Sequence, residues 1–330
     1  MTDYLGYLTW WTVPDCAAPY QELNRLATQI GFPIDCVPKP PAPRQAWEKA
    51  TNVGGARGLN LDAPGDKVDQ VYIQYGTPPI VRLVTRRVSD KAPLLRRHLV
   101  REAVIPLARD NWKQLSMQTV AVLEFDCTTR RSAVQLVYDH EGWTNGNVNL
   151  VVQDVEQRQQ LLLDHADGND IREGIRKLLF QLHRVGLRGT GGVYFIPESA
   201  LDAERSLRAM RAFIKGLRPW VTGKLWPTCN IVKLHGEEAE HLREEIVESA
   251  TEEFKKRLSD LADKVDPILQ GRANGKVADK IAQGATEDLM MIQSGLAAYR
   301  DSLRDEFTAL TDMLQMAQAA VVKAMGMTCA

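Results

Sequence analysis

One well-populated run of ionic side chains in this sequence is basic. Arg82, Arg86, Arg87, Lys91, Arg96, Arg97 and Arg101 fall within about twenty residues, and Arg130 and Arg131 follow on a predicted neighbouring turn. Gathered on one face, they would make an electrostatic footprint for nucleic acid or another polyanion, because each phosphate neutralised releases a counterion. Interleaved with acids, the same residues make a salt-bridged surface, facing the acidic part of this chain or of a second subunit.

Gly186, Gly189, Gly191 and Gly192 invite a phosphate-loop reading. Such a loop needs a strand before the glycines and a helix after them, so that helix N-terminal amides face the anion. Here a helix precedes and a strand follows, with no lysine and hydroxyl pair after the glycines, so a tight helix-to-strand turn is expected. The same order resembles the recognition-helix and wing portion of winged-helix DNA-binding modules over about 30 residues, with Arg172, Arg176, Lys177, Arg184 and Arg188 as phosphate contacts.

Other chemistry fails on spacing. Placing Gly168 sixth in a calcium loop puts Leu163, His165 and Gly174 where oxygen ligands are needed. His235, Glu238 and His241 share no helical face, and Glu237, Glu238 and Glu240 suit the positive end of a helix start. Cys16, Cys36, Cys127, Cys229 and Cys329 include no CxxC pair, so free thiols and no metal are expected. There is no GxSxG elbow, and Cys127 beside Asp126 has no sequence cue to a histidine. No catalytic residue and no cofactor are assigned.

The elements that must carry these residues are mixed. Leu5 to Val13 reads as a strand with Trp10 and Trp11, and Pro19 to Ile30 as a helix stopped by Gly31 and Pro33. A proline-rich connector leads to a short helix, Arg44 to Thr51. Val71 to Tyr75, Ile80 to Val88, Met117 to Phe125 and Ala133 to Tyr138 alternate as strands of an antiparallel meander. Leu94 to Ala108 fits neither period cleanly and stays open between strand and helix. Val148 to Val152 reads as a further strand, followed by helices Val155 to His165 and Ile171 to Val185, the second capped by Asn169 or Asp170. A strand within Leu187 to Pro197, a helix from Ser199 to Leu217 and a strand from Leu225 to Leu234 complete the region.

The net charge of -1 conceals an asymmetry. From Gly236 onward about 11 basic face about 18 acidic residues, roughly -7, which leaves roughly +6 on the rest. Leu242, Ile246, Ala250, Phe254, Leu258, Leu261 and Val265 form a helical stripe that Pro267 should end or kink. After Gly271 and Asn274 a second stripe runs from Val277 to Val321, with Leu289, Leu296, Leu303, Leu310 and Ala317 at seven-residue spacing. Two long helices around that turn predict an antiparallel hairpin, with Leu242, Ile246, Phe254, Leu258, Leu296, Leu303, Phe307, Leu310 and Leu314 at an assembly interface. Six methionines of this arm read as gap-filling core, with an adaptable contact surface as the alternative.

Tyr4 to Pro14, the connector leading to Arg44, Gln45, Ala46, Trp47, Glu48 and Lys49, and the run from Leu187 to Pro197 resemble a poorly characterised family of phage- and plasmid-borne proteins. The resemblance covers much of the first two thirds and implies a mobile-element context, with no catalytic residue to carry over. The expected architecture is α+β: an antiparallel sheet with packed helices over 1–235, open to subdivision near 150, then a coiled-coil-like hairpin over 236–330. No membrane-spanning run or signal peptide is read, which sets a cytoplasmic expectation. The expected role is a non-enzymatic protein that binds itself or another protein through the hairpin. The alternative is binding of DNA or RNA through Arg86, Arg87, Arg96, Arg97, Arg101, Arg130, Arg131, Arg184 and Arg188.

Overall fold

The computed structural model describes residues 4–52, 59–61, 80–108, 111–137, 143–187 and 192–328. Its elements in chain order are β1 (Tyr4–Thr12), β2 (Ala17–Pro19), α1 (Tyr20–Ile30), α2 (Pro43–Ala50), β3 (Leu59–Leu61), β4 (Ile80–Ser89), β5 (Leu94–Ala108), β6 (Asn111–Asp126), β7 (Arg131–Leu136), α3 (Trp143–Asp164), β8 (His165–Asp167), α4 (Gly168–Gln181), β9 (Val185–Gly186), β10 (Tyr194–Pro197), α5 (Ala203–Gly216), β11 (Thr228–His235), α6 (Gly236–Leu269), α7 (Gly275–Leu303) and α8 (Thr311–Thr328). The fold is α+β, with antiparallel sheets and long C-terminal helices packed together.

Two compact units form, one from Met1–Pro38 with Ala166–Ala330, the other from Lys39–His165. This differs from the division expected at Gly236. The C-terminal helices share a core with the first sheet, since Val185, Phe195 and Leu234 bury against Phe254, Leu296 and Tyr299.

In the first unit β11, β1, β10 and β9 pair antiparallel in that order. Alternation gives each face its own partners: Tyr7 and Ile196 bury with α1, α4 and α5, whereas Leu8 and Phe195 meet the C-terminal helices. The strands approach so closely at Gly6 that a Cβ there would lie 2.2 Å from the Ile196 carbonyl oxygen. The start of α4 explains the aspartates that fail as a calcium loop. Asp167, rather than Asn169 or Asp170, is the cap, accepting from the amides of Asn169 and Asp170 while Asp170 accepts from Asp167. The helix ends at Gln181 rather than Val185, because His183 turns left-handed (φ 57°) and Val185 pairs with Phe195.

In the second unit β3, β4, β5, β6 and β7 form the antiparallel meander. Leu94 to Ala108 is strand β5, with Leu95, Arg97 and Leu99 turned inward on alternate positions. The strand expected at Val148 to Val152 is instead part of α3. Val151 and Val155, one helical turn apart, bury together against Leu83, Leu99 and Ala121 of the sheet. The strand expected at Val71 to Tyr75 lies outside the described residues.

The α6 and α7 hairpin forms as predicted around 270–274, and α6 runs past Pro267 to Leu269. The second stripe is not one helix. The chain reverses after Leu303 through Arg304 (φ 52°) and Phe307 (φ 49°), and α8 folds back so that Met325 Sδ lies 3.3 Å from Thr286 Oγ1. Of the heptad positions, Leu289, Leu296 and Leu303 lie on α7, Leu310 in the turn and Ala317 on α8, and the two helices cover α6 together, making a three-helix bundle.

Candidate functional site

The meander divides the basic cluster by strand parity. Pairing sets Arg82 opposite Glu102, Arg86 opposite His98 and Arg87 opposite Arg97, with Arg96 opposite Glu124. Arg82, Arg86 and Arg96 thus point to one face, and Arg87, Arg97 and Arg101 to the other. On the first face Glu102, 1% exposed, accepts from Arg82 Nε at 2.8 Å and from Arg86 at 3.0 Å, while Arg96 pairs with Glu124 at 2.6 Å. Arg130 and Arg131 are exposed at the β6–β7 turn, where amides of Thr128 and Thr129 hold the Asp126 carboxyl below its usual range. Arg184 stacks 4.7 Å over Tyr194 in the other unit, and Arg188 lies outside the described residues. Within the meander, Arg86 and Arg96 thus lie on the opposite sheet face from Arg97 and Arg101.

The winged-helix reading meets a similar difficulty. Arg172 donates to the Val13 carbonyl at 2.5 Å, and Lys177 to the Asp35 carbonyl at 2.6 Å, so two of its five cations are bound to their own scaffold.

On the second sheet face, Arg97 departs from this local pairing. It is 5% exposed, its Nη1 donates to the Glu48 carbonyl (2.8 Å) and Thr51 Oγ1 (2.7 Å), and its guanidinium lies 5.1 Å over Trp47. Its Nε has no partner, and no described carboxylate pairs with it. Burial first, and Arg87 second, lower its pKa. Arg87, Arg97, Thr85, Asn52 and Glu48 line a cleft of about 160 Å³. A like-charged pair directly opposite on neighbouring strands is destabilising unless an anion compensates it.

The hairpin residues expected at an assembly interface are mostly internal. Ile246, Phe254, Leu258, Leu296, Leu303, Phe307 and Leu310 are buried within the bundle, with Leu242 and Leu314 partly buried beside them. This corrects the expected interface: the chain reversal supplies a third helix that covers the stripe. Of the six methionines, Met313 packs partly buried against the core as expected and Met291 is partly buried, whereas Met290, Met316, Met325 and Met327 are exposed, together with Val322. Helix α8 carries charge only at Asp312 and Lys323, and its outward positions include Gln315, Met316 (73% exposed), Ala319 and Val322 (68%). Its uncovered side thus sets Met316, Ala319 and Val322 among Thr311, Asp312, Gln315 and Lys323.

A hydroxyl and imidazole pair that sequence spacing could not reveal lies in the same unit. His183, 7% exposed, has Nε2 3.1 Å from Ser294 Oγ, its carbonyl accepts from Tyr299 Oη at 2.9 Å, and Gly295 lets ring and helix approach. Burial, aided by Arg257, pulls the imidazole down to about 4, so it is neutral near pH 7. Its Nδ1 has no partner, so no carboxylate orients the ring as a nucleophilic triad requires. The pair instead pins the α4–β9 turn to α7. His183 and Ser294 are 111 positions apart, and only the fold unites them.

No helix among the described residues is long and apolar enough to cross a membrane. The model of a family of unknown function (DUF6744) matches residues 4–327. No curated protein and no solved structure matches the chain.

Proposed function

The chain belongs to the DUF6744 family, and we propose that it is a non-enzymatic protein that assembles with a second copy of itself through the outward face of α8 and the adjoining part of α7. The observation that carries this reading is the composition of α8. Large apolar side chains are normally buried, yet Met316 and Val322 on the outward side of α8 are covered by no described part of the chain. Methionine is suited to such a contact because its unbranched thioether adapts to the opposing surface. The near absence of charge on α8 lets two copies meet in a two-fold contact without like-charge repulsion.

Sedimentation of the full-length protein tests this. The wild type should run as a dimer and Met316→Glu with Val322→Glu as a monomer of unchanged melting temperature. A monomeric wild type, or a double variant that still dimerises, overturns the reading. A phage or plasmid setting belongs to this proposal on the resemblance described above, and a cytoplasmic one on the free thiols of Cys16, Cys36, Cys127 and Cys229. Nucleic-acid binding is the second reading, favoured by the exposure of Arg130 and Arg131 together with the half-exposed Arg86 and Arg96. Changing those four to alanine should then abolish oligonucleotide binding at low salt.

A further inference from the structure

We propose that the cleft between α2 and strands β4 and β5 of the second unit is a binding site for a small tetrahedral oxyanion, inorganic phosphate or a phosphate monoester. The register places Arg87 and Arg97 directly opposite each other, and both line the cleft. Each contact that Arg97 makes is to a neutral group: the Glu48 carbonyl, the Thr51 hydroxyl and the Trp47 ring. Those contacts explain why the side chain is fixed, since it closes the C-terminal turn of α2. They leave its charge without a carboxylate and its buried Nε without an acceptor.

The nearby acids do not meet that need. Glu48, which lines the cleft, is held by Arg44 Nε at 2.8 Å one turn back along α2, and Asp90 reaches Arg87 only at 3.5 Å from a largely exposed position. An anion seated between the guanidiniums would accept from Nη2 of Arg97 and from Arg87, with the Thr85 hydroxyl and Asn52 amide as further donors. The cleft, about 160 Å³, has room for an anion of phosphate size.

The test uses the full chain at low salt, with phosphate and glycerol phosphate titrated separately and the arginine Nε–H signals followed by NMR. Phosphate should shift the Arg97 signal, and Arg87→Gln, at an exposed position that leaves the packing intact, should weaken binding at least tenfold. Arg97→Lys, which keeps the charge and removes the forked guanidinium, should also weaken it. Glycerol phosphate competing with phosphate identifies the monoester as a ligand, whereas phosphate alone binding identifies the free ion. No Arg97 shift at millimolar phosphate, or equal binding by Arg87→Gln, overturns the proposal. Displacement of phosphate by an oligonucleotide without a terminal phosphate overturns it in favour of a polynucleotide backbone.

Discussion

The buried imidazole of His183 makes the stability of the first unit depend on pH in a calculable way. Its folded-state pKa is lowered from 6.5 to about 4, firstly by burial and secondly by Arg257. Arg184 and Tyr299 adjoin it as well, and the Glu253 carboxylate is held by Arg257 at 2.9 Å rather than by the ring. A depressed histidine binds its proton more weakly when folded than when unfolded. Its stabilising effect is therefore complete above the unfolded value and is lost as pH falls from about 6.5 toward 4. At pH 5 the unfolded chain has gained about 1.5 pH units of protonation that the folded chain has not, which at 1.36 kcal/mol per unit is a loss of about 2 kcal/mol. His183→Asn removes this dependence while retaining a residue that tolerates the left-handed backbone. Urea denaturation at pH 7 and pH 5 should show the wild type losing about 2 kcal/mol more than the variant. Parallel losses, or a native His183 signal titrating near 6.5 by NMR, would refute the buried neutral imidazole.

Two further outcomes follow from packing. Gly6→Ala should cost about 3 kcal/mol, because the new methyl carbon would sit 2.2 Å from the backbone oxygen of Ile196, which cannot swing aside. An unchanged urea midpoint would contradict that close approach. Burial pushes the Cys16, Cys36 and Cys229 thiols up to about 11. Among the described cysteines, iodoacetamide at pH 8 should therefore modify the half-buried Cys127 before the other three, which it should reach only on unfolding, as read by mass spectrometry.

What was legible in the sequence follows from how local its cause is. The meander and the α6–α7 hairpin rest on periodicity and turn residues, which act within a few positions. Strand β5 defied its local pattern because Arg97 and Glu102 are buried, and polar residues turned inward disguise alternation. Val148 to Val152 carries strand-like residues, yet they lie in α3, whose Val151 and Val155 bury against Leu83 and Leu99. The reversal at Arg304 and Phe307 uses two left-handed residues that are not glycine, so no conventional breaker announced α8. The division of the basic cluster was present all along as parity: 82, 86 and 96 against 87, 97 and 101.

The charge asymmetry along the chain invited the idea that an acidic arm faces a basic domain. Among the described residues, many ion pairs close within one unit. Glu253 meets Arg257, Glu252 meets Lys255, Asp288 meets Lys264 and Asp266 meets Arg272 within the C-terminal helices. In the second unit Glu102 is shared by Arg82 and Arg86, and Glu124 takes Arg96. Exposed pairs of this kind add little stability, but each removes a charge that a partner could otherwise use. Counting arginines therefore overstates the polyanion-binding capacity of the surface. What distinguishes Arg97 is that among the described residues no carboxylate pairs with it directly although it is buried, which is why it carries the proposal of an anion site.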